Sequence, residues 1–239
     1  MTGGQLPGRA SHPEGTGFRD GLVVVLALTT GAVDAVSYLR LGKVFSSVIT
    51  GNLALLGISA GQQNTQLAVN AGLALAGYGT GVLAGGALAG IPRKDQPAWP
   101  RRATLTLAAE LLVLAAVSGG WLAAGGHPAG GPRLALLGIA AAAMGMQSTA
   151  VRRLGPMSTT YLTSTLTGVL HALAVRRWPS EWQRSTGVLA AFAAGAVLGG
   201  LAARHAPPAV PAAVMVPLAA VVACSLPAAR TGEPGGKPP

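Results

Sequence analysis

Six long apolar blocks constrain this chain more than any other feature of its sequence. Each block is 18 to 24 residues long and almost free of charge, and together they cover residues 21–39, 67–90, 104–124, 134–151, 185–203 and 207–227. An α-helix of about 20 apolar residues crosses the hydrocarbon core of a bilayer. Only 10% of the residues are charged, against about 25% in soluble domains. The sequence therefore predicts an all-α integral membrane protein with six transmembrane helices, and a lipid bilayer as its surroundings.

The basic residues predict the orientation of the chain. The formal net charge is +10, and most Lys and Arg residues lie between the apolar blocks rather than in a basic surface interleaved with aromatic residues, which argues against nucleic-acid binding. With six crossings the 17 basic residues divide 13 to 4, whereas eight crossings would divide them 9 to 8. Because short cytoplasmic loops retain Lys and Arg, we expect six crossings, both termini in the cytoplasm and a location in the cell (inner) membrane.

Composition also sets the expected domain boundaries. Residues 1–20 and 228–239 are rich in Gly, Pro and polar residues, which predicts disordered tails. The membrane domain then covers 21–227. The lone cysteine, Cys224, lies in an apolar block and is expected to be a small buried hydrophobe, since it has no second cysteine for a disulfide or a metal site. No cofactor is expected.

The two halves of the membrane domain resemble each other. A shift of 113 residues places Arg40-Leu41-Gly42 on Arg153-Leu154-Gly155, Thr50 on Thr163, Asp34 on Gln147 and Gly86 on Gly199. Repeat one is predicted to cover 21–124 and repeat two 134–227. Both Leu-Gly steps are predicted chain breaks, because each precedes a shorter segment rich in Ser, Thr and Gly.

These shorter segments are residues 44–60 and 157–174. If each enters the membrane and returns to the same face, the second half begins from the opposite face and the repeat is inverted. At 17 or 18 residues they could also just span a bilayer. We expect two short broken or re-entrant helical segments in addition to the six spans.

Two acids lie inside the apolar blocks. Asp34 lies about two-thirds of the way along the first block, where an ionised carboxylate costs several kcal/mol unless it is paired or hydrated. It is a candidate for a solute or ion site together with Gln147, and the alternative is a structural acid that pairs with an Arg or caps the broken helix. Glu110 lies two turns into its block, and we expect it to approach the membrane interface.

The short segments supply the other candidate ligands. Thr50, Gly51 and Asn52 offer a hydroxyl, a flexible backbone and an amide, and Thr163 stands at the matching position. Paired broken helices are a pointer to transporter sites. The alternative is hydrogen bonding that joins the helices of the bundle. We predict that Asp34, Thr50, Asn52, Gln147 and Thr163 converge near the bilayer midplane.

Small residues at four-residue spacing allow close helix packing. This spacing occurs twice, in the pattern known as small-xxx-small, and involves Gly77, Gly81, Gly85, Gly195 and Gly199. The favoured interpretation is packing within the bundle. The alternative is a homo-oligomer interface.

Two motifs resemble those of a known family. Gly31, Asp34-Ala35, Leu41-Gly42 and Thr50-Gly51-Asn52 resemble the first-half signature of the YoaK family of bacterial multi-pass membrane proteins. Gly145, Gln147, Arg152-Arg153, Thr159-Thr160 and Thr163 resemble the second, although Gln147-Ser148 and Thr163-Ser164 stand where the family tends to have Gln-Asn and Thr-Gly. The resemblance covers residue 20 to about 225. It implies a six-span membrane protein and no established activity.

These observations lead to two functional hypotheses. The first is a transporter or channel for a small solute or ion, with its site between the two broken segments. The second is a non-transporting membrane scaffold or assembly partner. No enzyme is expected, because the sequence has no P-loop, GxSxG, HExxH or CxxC motif and no Ser or Thr with a His–acid partner.

Overall fold

The computed structural model describes residues 15–91, 99–154, 162–176 and 182–231, and all its regular elements are helical. A π-helical turn, Ser37–Gly42, continues the first helix, and a 3₁₀ turn, Pro207–Ala209, precedes the last. The eight α-helices are α1 Gly15–Val36, α2 Ile49–Gly61, α3 Thr65–Ala89, α4 Arg101–Ala123, α5 Gly130–Arg153, α6 Leu162–Ala174, α7 Trp182–His205 and α8 Val210–Thr231.

Six of these helices are long and apolar enough to cross a membrane, as the sequence predicts. They are α1 with its π-helical turn, α3, α4, α5, α7 and α8. Large apolar side chains remain exposed on their outer faces, for example Leu83, Leu112, Val197 and Val216. Such a surface suits contact with lipid tails rather than with water.

Contacts between helix termini define two ends of the bundle. At the first, called the terminal end because α1 begins there, Arg19 donates to the Leu154 carbonyl at the end of α5, over 2.8 Å. Arg153 likewise donates to the Ala89 carbonyl at the end of α3. Asp20 forms an ion pair with Arg184 near the start of α7, at 3.0 Å.

At the opposite end, α1 finishes beside the beginnings of α3 and α5. The amide of Asn70 on α3 donates to the Gly42 carbonyl over 2.9 Å, and Arg133 on α5 donates to the Leu41 carbonyl over 2.8 Å. Since α1 ends where α3 begins, the chain between them starts and finishes at the same end of the bundle. The segment that contains α2 therefore enters and returns without crossing.

Helices α4 and α8 cross in opposite directions. Thr104, near the start of α4, shares a hydrogen bond of 3.0 Å with Ser225, near the end of α8. Trp121, near the end of α4, donates over 2.8 Å to the carbonyl of Pro207, which precedes α8. Eight crossings would make these two helices parallel. Their antiparallel contact agrees with six crossings.

Two helix pairs pack through equivalent glycine contacts. On α1, Gly31 faces the carbonyl of Phe192 on α7; on α5, Gly145 faces the carbonyl of Tyr78 on α3. Glycines on the partner helices make equivalent contacts in return. On α7, Gly195 and Gly199 contact Leu28 and Ala32 of α1. On α3, Gly81 and Gly85 contact Ala142 and Met146 of α5. Every equivalent pair differs by 114 positions.

The packing corrects two details of the sequence comparison. Gly85 on α3 has the packing position that Gly199 has on α7, so the shift of 113 is one residue short there and pairs the wrong glycine, Gly86. At the same offset of 114, Asp34 corresponds to Ser148 rather than Gln147. The close contacts of the small-xxx-small glycines are made within this chain, and all five glycines are buried. This agrees with the favoured interpretation, packing within the bundle, and the homo-oligomer interface stays a prediction.

Two helices extend past the predicted bounds of the membrane domain, and two further expectations, on Cys224 and Glu110, are wrong. Helix α1 begins by Gly15, before the predicted end of the N-terminal tail, and α8 continues through Pro227 to Thr231. Cys224 is exposed on α8, because the buried face of that helix carries Ser225 instead. Glu110 is fully buried rather than near an interface, because it lies on the face of α4 that packs into the bundle.

Candidate functional site

The first predicted break lies at the end of the π-helical turn. Gly42 ends this turn, and a Cβ atom there would lie 2.6 Å from the side-chain nitrogen of Asn70. Lys43 then takes a left-handed conformation, with φ of 60°. Residues 43–48, here called the link, are not helical, and α2 begins at Ile49. The break at Leu41-Gly42 therefore lies where the sequence predicts it.

Asp34 fastens the link to α1. One carboxylate oxygen accepts the backbone N–H groups of Ser46 and Ser47, each over 2.8 Å, and the other accepts the hydroxyl of Ser47 over 2.5 Å. The hydroxyls of Ser46 and Ser37 add a contact of 2.6 Å. Asp34 is 2% exposed. Three donors directed at one buried carboxylate are the arrangement of a capping acid, which was the alternative to a solute ligand.

Asn52 holds the link from the other side. Its side-chain oxygen accepts the N–H of Phe45 over 2.9 Å, and its amide donates to the Phe45 carbonyl over 2.6 Å. Asn52 is fully buried, whereas Thr50 is exposed on α2 and Gly51 packs beside Phe45 and Val48. Asp34 and Asn52 are thus brought to the same short stretch of backbone, and the hydroxyl of Thr50 is directed elsewhere.

The other two candidates lie apart from this link. Gln147 is buried and donates over 3.0 Å to the Leu26 carbonyl and over 3.0 Å to the Thr30 hydroxyl, one to two turns from Asp34 along α1. Thr163 is exposed on α6, and its carbonyl accepts the Thr167 hydroxyl over 2.9 Å. The five predicted residues do not converge on one point.

Part of the second short segment lies outside the described residues. Gly155 of the predicted Leu154-Gly155 break is among them, as are Thr159 and Thr160 of the second motif. Within the described part, α5 ends at Arg153 and α6 begins at Leu162.

A small cavity lies between α1, α4, α5 and α8. Its volume is about 30 Å³, which is about the share of one water molecule in the liquid. Its lining is apolar apart from the hydroxyls of Ser37 and Ser118. Neither Asp34 nor Thr50 lines it. In this conformation the cavity leaves little room for a solute.

Sequence reasoning missed one polar group in the centre. Glu110 is fully buried, and neither of its carboxylate oxygens has a hydrogen-bond partner among the described residues. It lies one turn from Leu114, which lines the cavity. The sequence did contain an indication of this burial. Glu110 shares a helical face with Leu107, Leu114 and Trp121, and an apolar face of this kind is expected to pack into the bundle.

Comparison with known proteins places the chain in a family. A family profile described as "Protein of unknown function (DUF1275)" matches residues 22–226. The chain belongs to this family. Its match covers Asp34, Asn52, Glu110 and Gln147, and so the whole of the site described above. The DUF1275 chain is also 34% identical over 164 residues to the "UPF0700 transmembrane protein YoaK" of Bacillus subtilis (strain 168), covering 66% of this chain and 69% of that protein.

This relative confirms the resemblance to the YoaK family and the multi-pass membrane character of the chain. No solved structure matches the sequence. These descriptions name a membrane location and no activity.

Proposed function

We propose that this chain is a transporter for a small solute or ion, built from two inverted repeats that expose a central site alternately to the two faces of the membrane. The observation that carries the proposal is the reciprocal packing of α1 with α7 and of α3 with α5. Each pair is parallel, each uses the same glycine-to-carbonyl contacts, and the equivalent residues differ by 114 positions. Inverted-topology repeats are typical of secondary transporters.

The inverted relation is supported by helix directions. Under an offset of 114 the counterpart of α4 is α8, and these helices are antiparallel through Thr104 with Ser225 and Trp121 with Pro207. An axis in the membrane plane reverses the direction of the helices that it relates, whereas an axis along the membrane normal preserves it. The contacts therefore favour the in-plane axis.

The packing also suggests which parts move. The helices α1 and α7 interlock backbone to backbone through Gly31 and Gly195, and α3 and α5 do so through Gly81 and Gly145. Close backbone packing of this kind resists separation. We infer that each pair moves as one body, and that transport consists of one body rocking against the other around the small cavity.

Within this proposal Asp34 and Asn52 are positioning residues. They hold the link against α1, and a rocking motion that opens the cavity next to Ser37 would carry the link with it. Thr50, Gly51, Gln147 and Thr163 stay candidate solute contacts for an open state.

The basic residues support the expected orientation. The described Lys and Arg residues at the terminal end include Arg19, Arg101, Arg102, Arg152, Arg153 and Arg184. Four lie at the opposite end: Arg40, Lys43, Arg133 and Arg204. We propose that the terminal end faces the cytoplasm of a cell (inner) membrane.

The second candidate is a scaffold or assembly partner. The observation in its favour is the closed centre, with a cavity of only about 30 Å³ and an Asp34 carboxylate occupied by the link. A scaffold needs no second conformation, so it would tolerate a bridge across the cavity.

A reversible bridge across the cavity separates the two functions. Ser37 on α1 and Ser118 on α4 line the same cavity, and Ser→Cys changes little in size. The double variant Ser37→Cys/Ser118→Cys is made in a Cys224→Ala background, reconstituted in proteoliposomes and treated with a short bifunctional thiol reagent that a reductant cleaves. The uptake of a panel of ions, amino acids, sugars and organic acids is compared with that of empty vesicles.

We expect wild-type protein to take up at least one class of solute, and the bridged variant to lose that uptake until it is reduced. Each single-cysteine variant, treated in the same way, is the matched control and should keep its uptake. No uptake of any class by wild-type protein, or full uptake by the bridged variant, would refute the transport proposal.

A further inference from the structure

The centre of the bundle holds a carboxyl group that no described residue satisfies. Both oxygens of Glu110 are buried and have no hydrogen-bond partner among the described residues. Buried polar groups are nearly always hydrogen-bonded, and an isolated group of this kind in a native protein requires an explanation. The usual explanation for a buried acid is an ion pair, and the surroundings of Glu110 rule it out.

Helix register shows what lies level with Glu110. Gly120 on α4 packs against Leu136 on α5, and these two helices run in opposite directions through a short turn. Ten residues back from Gly120 is Glu110, and ten residues on from Leu136 is Met146, next to Gln147. On α8, the contacts at the two ends of α4 place Leu218, which is fully buried, opposite Glu110.

Other unsatisfied oxygens occur at this level. Gln147 donates through its amide nitrogen to the Leu26 carbonyl and the Thr30 hydroxyl on α1, which leaves its side-chain oxygen without a described partner. The hydroxyl of Thr29, one residue earlier on α1, is likewise buried and without a described partner. Helices α1, α4 and α5 thus place oxygens of Thr29, Glu110 and Gln147 towards the same depth. Of these three residues, only Glu110 is an acid.

No described cation is available to balance a charge on Glu110. The elements packed against α4 are α3, α5 and α8. Their described titratable or charged groups are Tyr78, Arg133, Arg152, Arg153 and Cys224. Arg133 and Arg153 are bound to the carbonyls of Leu41 and Ala89 at the two ends of the bundle, Arg152 and Cys224 are exposed, and Tyr78 carries no charge.

A carboxylate in such a place costs several kcal/mol relative to the neutral acid, because neither water nor a counter-ion stabilises it. We propose that Glu110 is a proton-binding site in the membrane interior: a neutral carboxylic acid in the closed conformation, which exchanges its proton with water when the bundle opens. The side-chain oxygen of Gln147 and the hydroxyl of Thr29, which lie towards the same depth, are candidate acceptors for its O–H.

This inference extends the proposed transport function by naming its coupling ion as the proton. On opening, the O–H bond of Glu110 breaks, the proton passes to water on that face, and the remaining carboxylate is hydrated. Reprotonation from the other face restores the neutral acid and permits closure. Asp34 cannot take this role in the closed state, because all three of its hydrogen bonds come from the link.

The protonation of Glu110 can be tested without knowledge of any solute. Infrared spectroscopy of the protein in lipid bilayers detects the carbonyl stretch of a protonated carboxyl, which is separate from the bands of carboxylates and amides. Wild-type protein, Glu110→Gln and Asp34→Asn are compared at neutral pH, first in H₂O and then after transfer to D₂O. Glutamine keeps the size of glutamate and cannot carry the signal.

We expect the band in wild-type protein and in Asp34→Asn, and its loss in Glu110→Gln. In D₂O the band should shift on the timescale of opening. No band in wild-type protein at neutral pH, or an unchanged band in Glu110→Gln, overturns the assignment; a band that never shifts in D₂O overturns the exchange. The wild-type measurements decide these points even if Glu110→Gln does not fold.

A second arm separates this inference from the transport proposal. In proteoliposomes that take up a solute, a pH gradient should accelerate uptake by wild-type protein and leave Glu110→Gln unaffected. If uptake depends on a Na⁺ gradient and not on pH, the coupling assignment fails while the transport proposal survives. If no solute is taken up, the infrared measurement still decides whether Glu110 is protonated.

Discussion

The glycine contacts between helices give the sharpest test of the packing. On α3, Gly81 lies against the backbone of Ala142 on α5, and a methyl group at Gly81 would be 2.8 Å from the Ala142 Cα and would overlap the carbonyl oxygen. Optimal contact between carbon atoms is about 3.5–4.0 Å. The Gly81→Ala variant can fold only if the two backbones separate by about 1 Å, since backbone atoms cannot rotate away.

The cost follows from the lost contacts. A gap of about 0.5–1 Å removes roughly a quarter to a half of each dispersion contact along the interface, and overpacked sites typically lose about 1–3 kcal/mol. Gly79 on the same helix has nothing within 4 Å of the position of a new methyl group. There, alanine should instead stabilise the helix by about 0.5–1 kcal/mol.

The assay is thermal unfolding of the purified protein in one detergent, followed by loss of helical circular dichroism. Gly81→Ala should unfold at a lower temperature than wild type, and Gly79→Ala at an equal or higher one. The difference in stability between the two should be about 1.5–4 kcal/mol. Gly195→Ala should behave like Gly81→Ala, because its methyl group would lie 2.9 Å from the Leu28 Cα. Equal stability of Gly81→Ala and Gly79→Ala would refute the packing.

Three further predictions concern the link, a helix terminus and the topology. Asp34→Ala leaves two buried N–H groups of the link without an acceptor, and each costs about 1–3 kcal/mol of stability. Hydrogen exchange of the amides in residues 43–48 should therefore accelerate strongly. The control Thr50→Ala, at an exposed residue, should leave this exchange unchanged. Arg40→Gln removes the charged donor to the Ala203 carbonyl, a hydrogen bond that contributes about 1.5–3 kcal/mol. Amide hydrogen exchange should increase only in the last turn of α7. Exchange that rises equally along α7 would contradict the capping role. Reporter fusions at both termini should read cytoplasmic and a fusion at residue 128 periplasmic, and an outward C-terminus would rule out six crossings.

Much of the fold could be predicted because the membrane imposes it. Six spans and the break at Gly42 follow from block length and from glycine in a region where only helices are stable. The boundaries of α1 and α8 could not be read in the same way. Composition indicates where the apolar sequence ends. A helix can continue past that point, as α8 does beyond Pro227 to Thr231.

The sequence alignment of the two halves failed for a specific physical reason. The π-helical turn Ser37–Gly42 occurs in α1, while α5 is α-helical throughout. A π-helical turn accommodates one extra residue. Before the turn, Gly31 corresponds to Gly145 at an offset of 114, whereas Arg40 and Arg153, which hold the ends of α7 and α3, correspond at 113. The glycines of α3, which follow the link, correspond to those of α7 at 114 again. An ungapped comparison had to choose one offset.

The candidate site was predicted only in part, because irregular backbone is not encoded by a short motif. The motif Thr50-Gly51-Asn52 marks the right segment, but which of its side chains faces inward depends on the path of the link. That path is set by contacts of Asp34 and Asn52 with Ser46, Ser47 and Phe45. Glu110 was misplaced for a simpler reason: it lies only two turns into its apolar block, but its face of α4 packs into the bundle.

The position of the axis between the two halves leads to a final prediction. Leu107 lies three residues on from Thr104, and Val221 lies four residues back from Ser225, so the α4–α8 crossing brings Leu107 opposite Val221. Both are fully buried, and they are 114 positions apart. Under the proposed two-fold relation, residues that correspond to each other and also face each other lie on the axis, which would then pass about one helical turn from Glu110.

A group near the axis of a rocking motion moves little, while the openings at the two ends move most. In the proposed transport cycle, this location would let Glu110 keep its depth while access changes sides. In a Cys224→Ala background, a disulfide between Leu107→Cys and Val221→Cys should form and leave transport near the wild-type rate, since it ties the two helices at the pivot. The bridge between Ser37→Cys and Ser118→Cys, nearer the opposite end, should abolish transport. Equal inhibition by both bridges would show that the bundle does not rock about this axis.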